Sequence, residues 1–230
     1  FTAREYWTIE VILLSERGDR FAAELVRIDG EAIAIADEAT ATRHLDALTA
    51  AHPVVSKIGT RTQKRSPAPP FTTSTLQQEA SRRLSFSPKR TMSIAQRLYE
   101  GVEIDGETTG LITYMRTDGI DMAPEAIADI RSMIGKNYGK EYVPGAPRTY
   151  QNKSKNAQEA HEAVRPTSAS RTPDQVAKYV DRDQARLYEL IWNRAVASQM
   201  ESAELERTTV DIAAKSGGRV IDLRASGQVV

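Results

Sequence analysis

Cysteine is absent from the 230 residues of the sequence, and histidine occurs only three times. Without cysteine the chain has no disulfide bond, no thiolate nucleophile and no cysteine-based zinc site. The histidines, His44, His52 and His161, lie far apart in sequence. We therefore expect no metal site formed by this chain alone.

Long apolar runs are absent as well. No stretch approaches the roughly 20 apolar residues that cross a bilayer, and no charged-then-apolar leader opens the sequence. We expect no membrane contact and a cytoplasmic location. Apolar residues make up 40% of the chain, which is enough for a folded core. Because the sequence opens at Phe1 rather than Met and stops at Val230 soon after an expected strand, both ends are expected to be cuts in a longer protein.

Charge is balanced overall but unevenly distributed. The 31 basic residues equal the 31 acidic ones, yet the segment from Lys57 to Glu100 holds nine basic residues against two acidic ones, a net charge of +7. Such a segment can hold a polyanion. The alternative is a solvated face whose charge is balanced by acidic residues from elsewhere in the chain.

Two kinds of secondary structure are expected in different parts of the chain. β-Branched and apolar residues between turn signals predict strands at 5–14, 20–28, 54–62, 208–213 and 219–225. A proline-rich break at 66–70 opens a helical region that extends to about Met200. The pattern predicts an α+β fold. Its β-rich domain is discontinuous, over 1–65 and 201–230, and a mainly helical domain over 66–200 is inserted into it.

Helix starts are expected within the inserted region. Capping residues predict them near Ser74, Pro124 and Thr172. The strongest apolar stripe runs from about Asp183 to Met200. These stripes are expected to form the core of the inserted domain.

The segment from Gly110 to Gly119 carries the residues of greatest chemical interest. If it is extended, Ile112, Tyr114, Arg116 and Asp118 lean toward one side, because successive side chains alternate. A phenol can attack a phosphodiester, and a guanidinium can hold a phosphate oxygen. Since free tyrosine has a pKa of about 10, the phenol needs nearby positive charge or a base. On spacing alone, a packing role for this tyrosine remains the alternative.

Residues 111–118, Leu-Ile-Thr-Tyr-Met-Arg-Thr-Asp, resemble the active-site signature of the type IA topoisomerases. Three more blocks resemble the same family in the same order, at 70–80, 91–100 and 158–167, and a weaker likeness extends from Tyr6 to Trp192. The resemblance implies a β arch interrupted by a helical domain that carries the nucleophile. It also implies relaxation of negative supercoils through a transient break in one DNA strand.

The resemblance further implies roles for individual residues. Tyr114 would become linked to the 5′ side of the break, Arg116 would position the scissile phosphate, and His161 would handle a proton or contact phosphate. The residues expected to bind DNA are Arg82, Arg83, Lys89, Arg90, Arg97 and Arg165. Mg²⁺ would be bound by a preceding acidic domain of the Toprim type, which nothing in this sequence matches.

The implied partners are DNA, especially single-stranded segments of negatively supercoiled DNA, and the protein's own Toprim and C-terminal domains. The location implied is the nucleoid. A non-catalytic domain that binds single-stranded DNA or acts as a scaffold remains the alternative function. In that case Tyr114 would be structural.

Three details bear on these expectations. His161 opens a stretch like the zinc-protease helix motif, but Arg165 stands where a second histidine is needed, so that class is excluded. A structural role for His161 stays open. In tyrosine recombinases the tyrosine follows the histidine motif, whereas Tyr114 precedes His161 here. Residues 101–110 are longer and more acidic than the link expected in the family, and we interpret them as a loop insertion.

Overall fold

The computed structural model describes residues 2–150 and 162–230 and contains two compact units. One, here called the β unit, comprises the chain up to Arg65 together with Ala203–Val230. The other, the helical unit, comprises Ser66–Ser202. The chain thus combines an antiparallel sheet with helices, and the predicted α+β fold class is confirmed.

The β unit is a six-stranded antiparallel sheet with the strand order β1-β2-β8-β7-β4 and with β3 paired to β2. Its elements are β1 (Glu10–Leu14), β2 (Arg20–Ile28), β3 (Glu31–Ala32), α1 (Glu38–Thr49), β4 (His52–Arg65), β7 (Ala203–Ser216) and β8 (Arg219–Val229). Strand β4 pairs with β7 from His52 opposite Lys215 to Arg65 opposite Ala203. The chain therefore leaves the sheet and returns to it at neighbouring positions.

Alternation decides which face of this sheet is buried. Ile212 and Ala214 on β7 and Ile221 and Leu223 on β8 are at most 2% exposed, and they pack with residues of β2 and α1 in one core. Successive strand residues point to opposite faces, so the residues between them lie on the outer face. Gly217 and Gly218, both at positive φ, form the turn that joins β7 to β8.

The helical unit contains five α-helices and a short hairpin among its described residues. They are α2 (Thr73–Leu84), α3 (Pro88–Glu100), the hairpin strands β5 (Val102–Ile104) and β6 (Glu107–Thr109), α4 (Pro124–Asn137), the single turn α5 (Pro173–Val176) and α6 (Arg182–Ala197). A 3₁₀ turn at Lys140–Tyr142 follows α4. The predicted start of α4 at Pro124 is confirmed.

Helix α6 is the centre of this unit. Leu187, Tyr188 and Ile191 are fully buried in a core shared with α2, α3 and α4. The polar atoms that enter this core are satisfied: the Tyr188 hydroxyl donates to the carbonyl of Arg171 at 2.7 Å, and the Trp192 indole donates to that of Ala169 at 3.0 Å. Burial of a large apolar side chain such as that of Leu187 or Ile191 stabilises a fold by about 1.5–3 kcal/mol. Burial also raises the pKa of Tyr188 well above its usual value.

Three local expectations were wrong. Helix α2 begins two residues earlier than the capping pattern suggested, because Thr72 rather than Ser74 is its N-cap and forms a capping box with Thr75. Residues 38–49 form helix α1, which the sequence analysis did not predict. Residues 101–110 are an ordered hairpin rather than a loop, with Asp105 and Gly106 at positive φ in its turn.

Candidate functional site

Neighbouring backbone fixes the segment that carries Tyr114. Thr113 donates its backbone N–H to the carbonyl of Arg165 at 2.9 Å and its hydroxyl to the carbonyl of Ala163 at 2.7 Å. Leu111 donates to the carbonyl of Leu98 at 2.8 Å. The residues just before Tyr114 are therefore held between the end of α3 and the segment that follows residue 161.

A threonine at the start of α2 fixes the other side of Tyr114. The Thr73 hydroxyl donates to the carbonyl of Met115 at 2.7 Å and accepts from the backbone N–H of Thr117 at 2.8 Å. The Thr73 N–H donates to the carbonyl of Thr117 at 2.8 Å. Tyr114 therefore projects from a short segment that is tied on both sides, which limits the positions its ring can take.

Exposure alternates along this segment. Tyr114, Arg116 and Asp118 are exposed, whereas Met115 and Thr117 are buried. Ile112 departs from the predicted pattern: it is 1% exposed, because its backbone forms a bridge with Pro166 and its side chain joins the core. The chain also bends at Met115, so it is not a regular strand.

Tyr114 and Arg116 are available to a ligand. The Tyr114 side chain is 44% exposed. Among residues 2–150 and 162–230, neither its hydroxyl nor the Arg116 guanidinium takes part in a hydrogen bond or an ion pair. A nucleophile and a cation that are both exposed on a fixed segment can contact a phosphodiester without first breaking a hydrogen bond or an ion pair.

Tyr99, near the end of α3, is the immediate neighbour of Tyr114. Their ring centroids lie 5.4 Å apart at an interplanar angle of 64°, an edge-to-face arrangement. The chain returns close to the end of α3 after the hairpin: a Cβ on Gly110 would lie 3.0 Å from the carbonyl oxygen of Tyr99. No sequence pattern marked Tyr99 as a site residue, and only its position in the 91–100 block pointed to it.

His161 lies outside the described residues. The residues that follow it form a fixed group: Arg165 makes an ion pair with Glu162 at 2.8 Å, and Glu162 also accepts the backbone N–H of Ala123. The Arg165 side chain is only 12% exposed. Its Nε is buried without a hydrogen-bond partner among the described residues. Arg165 therefore presents little of its charge to solvent.

Acidic residues pair with most of the cations that we expected to bind DNA. Arg82 and Arg83 both bind Glu79 on their own helix, and Arg97 binds Asp181 at 2.9 Å. Arg90 forms an ion pair with Asp183. Lys89 has no ion-pair partner in the described part of the chain. It lines a cavity of about 360 Å³ together with Arg90, Arg97 and Asp183.

The pKa values of two carboxylates reflect these pairs. A hydrogen bond from Arg82 lowers the pKa of Glu79, and Arg83 and Arg194 add to the effect. Burial raises the pKa of Asp181, but hydrogen bonds from the Gln184 backbone and from Arg97 outweigh it, so the pKa is lowered. Both groups are therefore anionic near neutral pH and neutralise part of the basic surface.

Neither a cluster of metal ligands nor a membrane-spanning helix occurs in the two described ranges. No group of three or more histidine, aspartate or glutamate side chains is placed to hold a metal ion there. The resemblance assigns the magnesium ion to a Toprim domain and not to these residues. None of the helices in the same ranges has the length and apolar character to cross a membrane.

The chain matches known proteins over its whole length. A family model described as DNA topoisomerase matches residues 1–230. DNA topoisomerase 1 of Rickettsia prowazekii is 47% identical over 96% of this chain, and that of Xylella fastidiosa strain 9a5c is 48% identical over 100%. The chain spans 30% and 29% of these relatives.

A solved structure shows the same fold. Full-length topoisomerase I from Thermotoga maritima is 32% identical, with a TM-score of 0.75, over 99% of this chain and 34% of its own length. Family model, relatives and structure agree with the four blocks in the sequence. This chain therefore belongs to the bacterial DNA topoisomerase family, in the type IA class.

Proposed function

We propose that this chain is the central part of a type IA topoisomerase and that Tyr114 is the nucleophile that cuts one DNA strand. The observation that carries the proposal is the exposed phenol of Tyr114 on a segment tied by hydrogen bonds on both sides. A nucleophile must be both accessible and fixed.

The reaction replaces one phosphorus–oxygen bond by another. The Tyr114 oxygen attacks a backbone phosphorus, the bond from phosphorus to the 3′ oxygen breaks, and that oxygen takes up a proton to become a free 3′ hydroxyl. The phenol proton passes to a base, and the 5′ phosphate remains on the tyrosine. Reversal of the same steps reseals the strand without ATP. Passage of another strand through the break relaxes negative supercoils.

Arg116 supports this step as a positioning cation. Its guanidinium can grip two phosphate oxygens and stabilise the charge that gathers on phosphorus. Its exposure beside Tyr114 in sequence, without an ion pair among the described residues, favours this role. His161 is proposed as the proton-handling or phosphate-contacting group from the family resemblance alone.

We further propose that the working protein includes domains outside this chain. These are a Toprim domain that binds Mg²⁺ and a C-terminal part, and the DNA partner is a single-stranded segment of negatively supercoiled DNA in the cytoplasmic nucleoid. The share of its relatives that the chain spans supports this proposal.

Replacement of Tyr114 by Phe tests the central claim. In a full-length topoisomerase that carries this segment, Tyr114→Phe should abolish the covalent DNA adduct while DNA binding is kept, because only the attacking oxygen is lost. Tyr138→Phe, at an exposed tyrosine after α4, is the matched control and should cleave normally. Normal cleavage by Tyr114→Phe would instead favour the non-catalytic binding or scaffold function.

A second experiment concerns the chain by itself. The 230-residue chain should not relax negatively supercoiled plasmid in the presence of magnesium, because loss of even one preorganised donor costs about a hundred- to a thousandfold in rate. Addition of a separately made Toprim domain should restore some activity. Relaxation by the chain alone, abolished by Tyr114→Phe, would show that the machinery lies within this segment.

A further inference from the structure

The outer face of the β unit carries a cluster of cations. Lys57 and Arg61 lie on β4, Arg207 on β7 and Arg224 on β8, around a cavity of about 340 Å³. Asp211 is the one acidic residue among its described lining residues, and Arg224 holds it at 2.7 Å. Toward β2 the face carries charges of both signs, since Glu24 stands opposite Arg224 and Arg27 stands opposite Asp222. The cluster is therefore confined to β4, β7 and the adjoining part of β8.

Two of these arginines oppose each other. In the register of β4 and β7, Arg61 is the direct partner of Arg207. Side chains at directly opposite positions are about 4.5–5.5 Å apart at Cβ, and like charges there are destabilising. In the described part of the chain neither arginine has an ion-pair partner, and neither does Lys57. A bound anion between them would relieve this repulsion.

The surface of the sheet between the cations is free of side chains at Gly59. Gly59 lies between Lys57 and Arg61 on β4, and a Cβ built on it meets nothing within 4 Å. Thr209 stands opposite Gly59 and offers a hydroxyl to the same cavity. An anion can therefore approach the sheet between flanking cations and also reach a neutral donor.

This arrangement differs from the basic surface of the helical unit. There, Arg82, Arg83, Arg90 and Arg97 are engaged with acidic partners. On the sheet, three of four cations are free of such partners within the described ranges. Unpaired cations gain most from an incoming phosphate, because no existing ion pair has to break first.

We propose that this outer face, centred on Arg61 and Arg207, binds the phosphate backbone of a duplex DNA segment. The choice of DNA among polyanions rests on the proposed function. The choice of duplex rests on the lining: none of its described residues is aromatic, whereas proteins that hold single strands use aromatic side chains as stacking platforms. A duplex presents one charge per about 1.7 Å of axis. Lys57 and Arg61 lie about 13 Å apart along their strand, so they reach different phosphates.

A double variant of the 230-residue chain tests the proposal. Arg61→Ala with Arg207→Ala should weaken binding of a short labelled duplex roughly tenfold at low salt. It should also reduce the slope of log affinity against log salt by about 1.8, since each phosphate contact contributes about 0.9. The melting temperature without DNA should stay the same or rise, because a repulsive pair has been removed. Fluorescence anisotropy over a salt series measures the first two quantities.

The matched control is Arg17→Ala with Arg20→Ala, which removes the same charge from the same unit, in the turn between β1 and β2 and at the first residue of β2. It should change duplex affinity little. Equal losses in the two double variants, or no loss in either, would overturn the proposal. A larger loss for a labelled single strand than for the duplex would overturn the choice of duplex.

The result of the duplex-binding test is independent of whether Tyr114 is the nucleophile. The binding test replaces cations of the β unit in the 230-residue chain, whereas the cleavage test replaces Tyr114 in the helical unit. Loss of the covalent adduct in full-length Tyr114→Phe tests the nucleophile and does not test the cationic face. A failed binding test would therefore leave the cleavage proposal standing, and a failed cleavage test would leave the cationic face standing.

Discussion

Removal of the ring that packs on the nucleophile should slow cleavage without abolishing it. In Tyr99→Ala the edge-to-face contact with Tyr114, at 5.4 Å between centroids, is lost. Such contacts contribute about 0.5–1.5 kcal/mol beyond area burial. If the contact holds the phenol in its reactive position, its loss raises the activation free energy of cleavage by the same amount. At about 1.36 kcal/mol per tenfold, cleavage slows about two- to thirteenfold.

The assay is single-turnover cleavage of a single-stranded oligonucleotide by the full-length protein. Because the 5′ phosphate stays on tyrosine, a label at the 3′ end of the oligonucleotide marks the covalent adduct. Tyr99→Phe keeps the ring edge and should cleave at nearly the wild-type rate. Tyr138→Ala removes a similarly exposed tyrosine elsewhere in the helical unit and should have no effect. A wild-type rate for Tyr99→Ala would refute a positioning role for this ring.

Three further changes have defined outcomes. Arg116→Lys should lower the cleavage rate at least about tenfold, because an ammonium cannot replace a planar fork on two phosphate oxygens; full activity would remove that role. The lowered pKa of Glu79 means that its carboxylate stabilises the fold above the ordinary value of 4.5, and this contribution is lost as pH falls through the lower folded value. The drop in melting temperature on acidification should therefore be smaller in Glu79→Gln than in wild type. Equal drops in the two proteins would contradict this role of the Glu79 carboxylate. Leu187→Ala, at a fully buried position, should destabilise the helical unit by about 2–5 kcal/mol in a urea titration, and a change well below this range would show that the core can collapse around the gap.

Local patterns predicted much of the fold. Strand β2 has the bounds expected from its composition, and Pro124 opens α4 as expected, because both signals lie within a few residues of the element they specify. Helix α1 was missed because its sequence, EATATRHLDALT, has too few large apolar residues to form a recognisable stripe. The hairpin at 102–109 was missed because its strands are only three residues long.

The site was less accessible to sequence reasoning where it depends on distant residues. The family signature pointed to Tyr114, and alternation predicted that Arg116 would share its exposed side. Ile112 broke the alternation because of a bridge to Pro166, which no local pattern reveals. The partner of Arg97 is 84 positions away in sequence. Charge counts alone could not show that the cations of α2 and α3 are mostly paired with acidic residues, whereas Lys57 and Arg61 have no such partner among the described residues.

The way the helical unit interrupts the sheet constrains the order of folding. The first and last residues of the helical unit lie close together. The hydroxyl oxygens of Ser66 and Ser202 are 3.4 Å apart, although these residues are 136 positions apart in sequence. Closing a flexible loop of that length costs about 3 kcal/mol more than closing a turn of about four residues. Once the insert has folded, β4 and β7 are joined as if by a short turn. The helical unit is therefore expected to fold first, after which the sheet pairs progressively from Arg65 and Ala203 toward His52 and Lys215.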